Sequence, residues 1–93
     1  MSERSVRNAV LRKLKAKGWH IMPLSDKWAS GYPDLLCIKR NDVDFWTARY
    51  MFIELKSPTG KLSKIQIVTI KKLQDMGCEV HVVNDVKQLE DIL

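Results

Sequence analysis

Two short segments of the chain carry the side chains best suited to chemistry. Pro33-Asp34 follows a glycine-containing stretch, and Glu54-Leu55-Lys56 ends an apolar run. Side chains alternate along a strand, so Glu54 and Lys56 are predicted to share one face if this run is extended. Two carboxylates brought together in a half-buried site repel each other, and a divalent cation removes that repulsion. The pattern therefore favours a Mg²⁺ or Mn²⁺ site, at which Lys56 holds an attacking water or stabilises charge on a phosphate.

A simpler interpretation of the second segment is an ion pair on an exposed strand face. Such Glu-x-Lys pairs are common and contribute little to stability. Glu54 and Lys56 alone are therefore weak indicators of function. The Pro-Asp element strengthens the interpretation, because pairing of the two strands would bring Asp34 to the same point.

The elements that must position these residues are predicted in the order α-β-β-β-α-β-α. Apolar periodicity and turn residues predict helices over residues 3–17 and 63–76, a short last helix ending at residue 93, and strands over residues 19–24, 34–39, 49–56 and 79–83. Pro23 marks the first strand as an edge. Short links predict an antiparallel meander, and the helix between the third and fourth strands predicts a parallel right-handed crossover. The predicted fold class is α/β: one domain over residues 1–93, with a mixed four-stranded sheet flanked by helices.

The second helix is predicted to present an apolar stripe to the sheet. That stripe consists of Leu62, Ile65, Thr69, Leu73 and Met76, and Ile67 and Ile70 widen it.

Length and composition limit the class of protein. The 93 residues suffice for one domain, and 45% hydrophobic residues allow a buried core. The formal net charge of +5 suits a polyanionic partner such as nucleic acid. Cys37 and Cys78 lack metal-ligand spacing and are predicted to be small core residues without a disulfide. No apolar run is long enough to span a membrane and no signal segment is visible, so a cytoplasmic protein without a membrane partner is expected.

Two segments together resemble a known nuclease family. Residues 31–36 (Gly-Tyr-Pro-Asp-Leu-Leu) and 52–66 (Phe-Ile-Glu-Leu-Lys-Ser-Pro-Thr-Gly-Lys-Leu-Ser-Lys-Ile-Gln) are similar to the VRR-NUC domain, the virus-type replication–repair branch of the PD-(D/E)XK nucleases. The resemblance extends to Glu3 and Gly77 and so covers nearly the whole chain. It implies a restriction-endonuclease-like fold and similarity to Holliday junction resolvases.

The resemblance also implies roles for individual residues. Asp34 and Glu54 would be metal ligands, the Leu55 carbonyl would add a third protein oxygen, and Lys56 would be the catalytic lysine. Gln66 matches a glutamine that borders the active site. Glu3 matches an acidic residue that approaches the metal, often through water.

Gln66 and Glu3 each have a competing structural explanation. Ser63-Lys64-Ile65-Gln66 has the form of a capping box, in which Gln66 simply satisfies the start of the helix. Glu3 lies in a first helical turn, where the helix dipole favours any acid. For Gln66 both roles can hold together.

Further residues are candidates for DNA contact. They are Lys27 and Ser30 near Asp34, Arg4 and Arg7 on the basic face of the first helix, and Lys61 and Lys64 after the catalytic strand. A solvated helix face is the alternative for the basic helix. His20 and His81 lie on predicted strands and are interpreted as ordinary satisfied or exposed histidines.

Phe45-Trp46 is unusual in a link between two strands, which normally carries no large aromatic residues. This pair either folds over the core or marks a subunit contact, and Trp28 raises the same question.

The predicted function is that of a Mg²⁺- or Mn²⁺-dependent endonuclease that cuts DNA and leaves a 5′-phosphate. The resemblance implies a homodimer that cuts four-way junctions symmetrically, and it indicates phage or prophage origin and hence the host cell cytoplasm. The alternatives are a non-catalytic DNA-binding module, an accessory subunit of a larger nuclease, and a nuclease that prefers flaps or other branched DNA.

Overall fold

The computed structural model describes residues 1–24 and 31–93 of the chain. Its elements are α1 (Glu3–Ala16), β1 (His20–Pro23), β2 (Leu35–Arg40), β3 (Ala48–Leu55), α2 (Lys64–Asp75), β4 (Val80–Val83) and α3 (Leu89–Ile92), with a 3₁₀ turn at Val86–Gln88 before the last helix. The predicted order of elements and the α/β fold class are confirmed. No helix in the described part of the chain is long and apolar enough to cross a membrane.

Helix α1 begins and ends where local chemistry requires. The Ser2 hydroxyl accepts a hydrogen bond from the Ser5 amide, which satisfies one of the free N–H groups of the first turn. Three residues at helical spacing are buried, namely Val6, Val10 and Leu14. The helix stops before Gly18, whose φ of +87° is a conformation that glycine adopts without strain.

The sheet has the order β1-β2-β3-β4, with the first two pairs antiparallel and the last pair parallel. Strand β1 is an edge, as Pro23 predicts. Leu35 lies opposite Ile53, so the next position of the register sets Asp34 beside Glu54. The predicted meander therefore brings the two carboxylates to one place.

The hydrophobic core lies on one face of the sheet, between the strands and helices α1 and α3. It is formed by Val6, Val10, Leu14, Trp19, Leu35, Cys37, Met51, Ile53, Leu55, Val83 and Leu89. Each fully buried aliphatic side chain there contributes about 1.5–3 kcal/mol. This face carries most of the stability of the fold.

Helix α2 lies on the opposite face, and its predicted apolar stripe is wrong in part. Ile70 is its buried residue, whereas Ile65 and Met76 are 51% and 72% exposed. Contacts at the start of the helix fix its rotation: Gln66 bonds Glu54 on the sheet, so residues four and seven positions later face the strands. Thr69 and Leu73 of the predicted apolar surface are half-buried, so the prediction fails at Ile65, Ile67 and Met76, which are exposed.

The cysteines are free, as expected. Cys37 is fully buried, and burial raises the pKa of its thiol to about 11. Cys78 is only half-buried, so its interpretation as a core residue holds less well.

The link between β2 and β3 is an ordered hairpin whose aromatic residues point to solvent. The Asn41 and Asp44 side chains each accept a hydrogen bond from a backbone N–H two residues on. Phe45 and Trp46 are 70% and 96% exposed. Of the two alternatives for this pair, folding over the core is wrong, because both side chains are exposed to solvent.

Candidate active site

Asp34 is held from three directions. Its Oδ2 accepts a hydrogen bond of 2.8 Å from the backbone N–H of Leu55, and its carbonyl accepts one of 2.7 Å from the Leu24 amide. Its Oδ1 lies 3.7 Å from Nη2 of Arg7 on α1. Asp34 thus contacts β3, the residue after β1, and α1, and its position is set by the tertiary fold.

Glu54 is buried on the face of the sheet opposite the hydrophobic core, with 2% of its surface exposed. Its Oε2 accepts a hydrogen bond of 2.9 Å from Nε2 of Gln66 and lies 3.7 Å from Nζ of Lys56. Burial and the neighbouring Asp34 charge raise the pKa of Glu54 to about 7, although Lys56 acts in the opposite direction. In this environment, additional positive charge beside the carboxyl group would favour release of its proton.

Gln66 makes hydrogen bonds both to the start of α2 and to Glu54. Its Oε1 accepts a hydrogen bond of 2.9 Å from the Ser63 amide, and the Ser63 hydroxyl accepts one from the Gln66 amide, which completes a capping box. The remaining amide nitrogen donates to Glu54. The start of α2 is therefore coupled directly to the carboxylate site.

Helix α1 brings charges of both signs to the same place. Glu3 is close enough for its charge to contribute to the raised pKa of Glu54. Arg7, four residues later, approaches Asp34. Sequence reasoning assigned Arg7 to DNA contact and missed this approach, although a spacing of four residues from Glu3 places both side chains on one helix face.

The donor set fits a hard divalent cation. Within residues 1–24 and 31–93, no three His, Cys, Asp or Glu side chains lie close enough together to hold a metal ion. Among the described residues, Asp34 and Glu54 are thus the two carboxylates that lie together, and Glu3 is not brought into the range of a direct ligand. Mg²⁺ uses such sparse sets, in which one or two carboxylates are completed by waters and substrate phosphates. Burial and the repulsion from Asp34 together raise the pKa of Glu54, and a cation between the two carboxylates would oppose both effects.

Of the predicted DNA-contacting residues, Arg7 is brought to the carboxylate site. Arg4, Lys61 and Lys64 are exposed, the last two in the segment that leads from β3 into α2. Lys27, Ser30 and Trp28 lie outside the described residues. His81 bonds Glu79, 2.7 Å away, within an ion-pair cluster with Arg49 at the other end of β3. His20 is exposed at the edge of the sheet.

The comparison with protein families decides the identity of the fold. Residues 2–87 match the family model for the VRR-NUC domain. The chain belongs to the VRR-NUC family. A solved structure described as a VRR_NUC domain is similar to this one with a TM-score of 0.79 and 27% sequence identity, over 97% of this chain and 91% of that chain. No curated protein matches the sequence.

Family membership gives this VRR-NUC domain a nuclease-type function in DNA processing. The matched residues include Asp34, Glu54, Lys56 and Gln66. Nucleases of this family generally use divalent metals, which agrees with the carboxylate pair of this chain.

Proposed function

We propose that this VRR-NUC domain is a divalent-metal-dependent endonuclease that hydrolyses phosphodiester bonds of branched DNA, with the four-way junction as its substrate. The observation that carries the proposal is the buried Glu54, held by Gln66 and Lys56 next to Asp34. An ordinary ion pair on an exposed strand face would leave Glu54 in contact with solvent, whereas Glu54 is buried. A carboxylate kept in a dry, crowded position at a cost in stability is typical of a catalytic site.

Each residue of the site has a distinct task in this proposal. Asp34 and Glu54, with the Leu55 carbonyl, hold Mg²⁺ or Mn²⁺, and the hydrogen bond from the Leu55 amide keeps Asp34 oriented. The bound cation supplies positive charge to the phosphoryl group and lowers the pKa of a water. Lys56 stabilises negative charge that develops on the phosphate. Gln66 keeps Glu54 turned toward the site through its hydrogen bond.

The reaction is the in-line hydrolysis of one phosphodiester bond. The oxygen of water forms a bond to phosphorus as the bond from phosphorus to the 3′-oxygen breaks. The leaving oxygen takes up a proton, and the product strand carries a 5′-phosphate. Lys56 is a cationic proton donor beside the carboxylates, with its Nζ 3.7 Å from Oε2 of Glu54.

Selection of branched DNA is proposed to depend on shape. Every element of the described fold belongs to the catalytic sheet or packs on it, so base-specific reading has no dedicated element there. We propose that a two-fold homodimer presents two active sites to the two-fold symmetry of a four-way junction. The net charge of +5 supports the electrostatic part of that contact.

Cleavage assays with one isosteric variant test the proposal. Labelled four-way junction, flap and linear duplex are incubated with the protein and Mg²⁺, Mn²⁺ or EDTA. We expect symmetric cutting of the junction in either metal, none in EDTA, and a loss of about 100-fold or more with Asp34→Asn. Asp75→Asn, which removes an exposed carboxylate at the end of α2, is the matched control and should cut like the parent.

Other outcomes select the alternatives. Tight binding without cutting in any metal would identify a non-catalytic module or an accessory subunit. Cutting of flaps with intact junctions would retain the nuclease and reject the junction as its substrate. Equal cutting by Asp34→Asn would show that the site is placed wrongly.

A further inference from the structure

Two cations lie side by side at the end of the sheet away from Asp34 and Glu54. Lys39 and Arg49 are directly opposite each other in the pairing of β2 and β3. Both side chains point to the core side of the sheet, because Cys37 and Met51, two positions away on the same strands, are buried there. Like charges placed opposite each other in an antiparallel pair are destabilising. The fold therefore keeps two cations together at a cost in stability.

Contacts with other elements hold both cations in defined positions. The Arg49 guanidinium donates hydrogen bonds of 3.1 and 2.6 Å to the two carboxylate oxygens of Glu79, and one of 2.9 Å to the carbonyl of Ile92 on α3. Its central carbon lies 5.3 Å from the centre of the Trp19 ring, and Nζ of Lys39 lies 6.0 Å from the same point. The two cations thus share one aromatic neighbour.

A cleft of about 310 Å³ opens beside this pair. Its charged lining consists of Lys17, Lys39, Arg40, Arg49 and Asp42. Arg49 is paired with Glu79. Within residues 1–24 and 31–93, no carboxylate lies at salt-bridge distance from the other three cations. The cleft therefore carries positive charge that the described residues do not neutralise.

The aromatic wall of the cleft adds an unpaired donor. Trp19 lines the cleft and is 5% exposed. In the part of the chain that the structure describes, its indole N–H is buried and has no hydrogen-bond acceptor. Buried donors in folded proteins are nearly always paired. An unpaired donor in a cationic wall favours an acceptor that comes from outside the chain.

We propose that this cleft, which we call the phosphate cleft, binds a small phosphate-bearing molecule of about the size of pyrophosphate. Ammonium and guanidinium groups are the usual partners of phosphate oxygens, and the bonds between them are charge-assisted. A ligand with several negative charges would offset the repulsion between Lys39 and Arg49 and the charge of the other cations together. The volume lies at the lower end of the range of about 300–1,000 Å³ that is usual for small-molecule sites.

Duplex DNA is a poorer fit to the phosphate cleft than a small molecule. The six residues of β2 set the cleft roughly 20 Å from Asp34. The cleft is enclosed by the end of α1, by the two strands and by the start of the link between them. DNA that is held at the carboxylates therefore leaves the phosphate cleft free for a separate ligand.

Isothermal titration calorimetry with pyrophosphate, in EDTA and without DNA, tests the proposal. At fixed ionic strength we expect the parent to bind and Lys39→Gln to lower the affinity about 10-fold or more, because a charge-assisted contact is lost. This variant should stay folded, as circular dichroism checks, because it removes the repulsion with Arg49. Arg40→Gln, at an exposed residue of the same cleft, should also weaken binding and provides a second variant.

Lys71→Gln is the matched control. It makes the same change in charge at an exposed residue of α2, on the other side of the sheet, and should bind pyrophosphate like the parent. Sulfate at matched ionic strength should bind the parent about 10-fold more weakly than pyrophosphate, because it carries fewer charges.

Four results would overturn the proposal. They are no binding of pyrophosphate at about 10 mM, unchanged affinity in both cleft variants, an equal loss in Lys71→Gln, and equal affinity of the parent for sulfate. A parallel loss of duplex binding in Lys39→Gln would assign the cleft to DNA and reject a small-molecule ligand.

The proposal is independent of the proposed function, because the phosphate cleft shares no residue with the carboxylate site. Asp34→Asn should bind pyrophosphate like the parent, whether or not the parent cuts DNA. A chain that cuts junctions and binds no pyrophosphate would retain the nuclease and reject the cleft.

Discussion

At the residue scale, Glu54 combines burial with neighbours of both signs. Its burial disfavours the charged form, and Asp34 adds to that effect, whereas Lys56 and the Gln66 amide favour the carboxylate. The residue is therefore poised, with a pKa of about 7, to change protonation when a cation arrives. A cation that binds the charged carboxylate in the folded protein would stabilise the fold, and this would offset the free energy lost by burying that charge.

The raised pKa of Glu54 predicts an unusual pH dependence of stability. The folded pKa of about 7 lies above the ordinary value of 4.5, so the stabilising effect of the protonated form is complete below pH 4.5 and is lost as the pH rises through 7. In EDTA, urea denaturation should show a free energy of unfolding roughly 2 kcal/mol lower at pH 8 than at pH 5. Saturating Mn²⁺ should reverse the decline, because the cation binds the carboxylate form.

Glu54→Gln is the control for that titration. Its amide does not titrate, so the difference between the two pH values should shrink by the amount that Glu54 contributes. An unchanged difference would show that another group is responsible.

The double role of Gln66 predicts a separation of stability from activity. Gln66→Ala and Ser63→Ala both break the capping box, and each should cost about 0.5–2 kcal/mol in the free energy of unfolding. Only Gln66→Ala also removes the donor to Glu54, so only this variant should lose about 10–100-fold in metal affinity or cutting rate. Calorimetric titration with Mn²⁺ and single-turnover cleavage measure the two effects. Equal rates for both variants would reduce Gln66 to a helix cap.

At the element scale, one close approach brings the Asp34 strand against α2. Gly31 has a φ of +88°, and a Cβ atom there would lie 2.8 Å from the carbonyl oxygen of Ile65. The glycine therefore meets two requirements at once, a left-handed backbone and the absence of a side chain. Gly31 thus packs the loop that carries Asp34 against Ile65, which is the residue before Gln66.

Gly31→Ala should therefore be more harmful than the same change at a glycine with free space around it. Gly77 has a similar φ of +94° with nothing within 4 Å, and Gly77→Ala should cost about 1 kcal/mol from backbone strain alone. Gly31→Ala should cost a further 1–3 kcal/mol, roughly, from overpacking against a backbone atom, and should slow cutting because Asp34 moves. Thermal unfolding and cleavage rates compare the two variants. Equal destabilisation would show that the loop can shift without loss.

At the scale of the whole molecule, the basic residues that give the net charge of +5 are expected to contribute unequally to DNA binding. The exposed Lys61 and Lys64 lead from the catalytic strand into α2, whereas Lys39 and Arg40 lie at the far end of β2 from Asp34. Six residues of strand separate the two ends by roughly 20 Å. DNA held at the carboxylates should therefore contact the first pair and not the second.

The salt dependence of DNA binding measures this difference. Lys61→Gln with Lys64→Gln should lower the slope of log affinity against log salt by about 2, because each lost phosphate contact removes one released counterion. The matched pair Lys39→Gln with Arg40→Gln makes the same change in net charge and should alter the slope little. Fluorescence anisotropy in Ca²⁺ or EDTA provides the affinities without cutting. Equal slopes for the two pairs would reject a localised contact.

The sequence by itself determined the elements, their order and the pairing that brings Asp34 to Glu54. Strand alternation and short connections are local properties, and together they specify a meander whose two carboxylates meet. The residues quoted for the family resemblance were sufficient to identify the VRR-NUC fold, which the family match confirms. The ionisation of Glu54, however, depends on how deeply the strand is buried, and no local pattern measures that depth.

The tertiary structure alone decided the rotation of α2, the approach of Arg7 to Asp34 and the burial of Glu54 beneath the start of α2. Each depends on contacts between residues far apart in the chain, such as Gln66 with Glu54 and Gly31 with Ile65. Helical periodicity predicts an apolar stripe but cannot say which side of it meets the sheet, because that choice is made by the partner surface. Phe45 and Trp46 illustrate the same limit. Their apolar character is evident from the sequence, but whether other residues cover them depends on the folded structure.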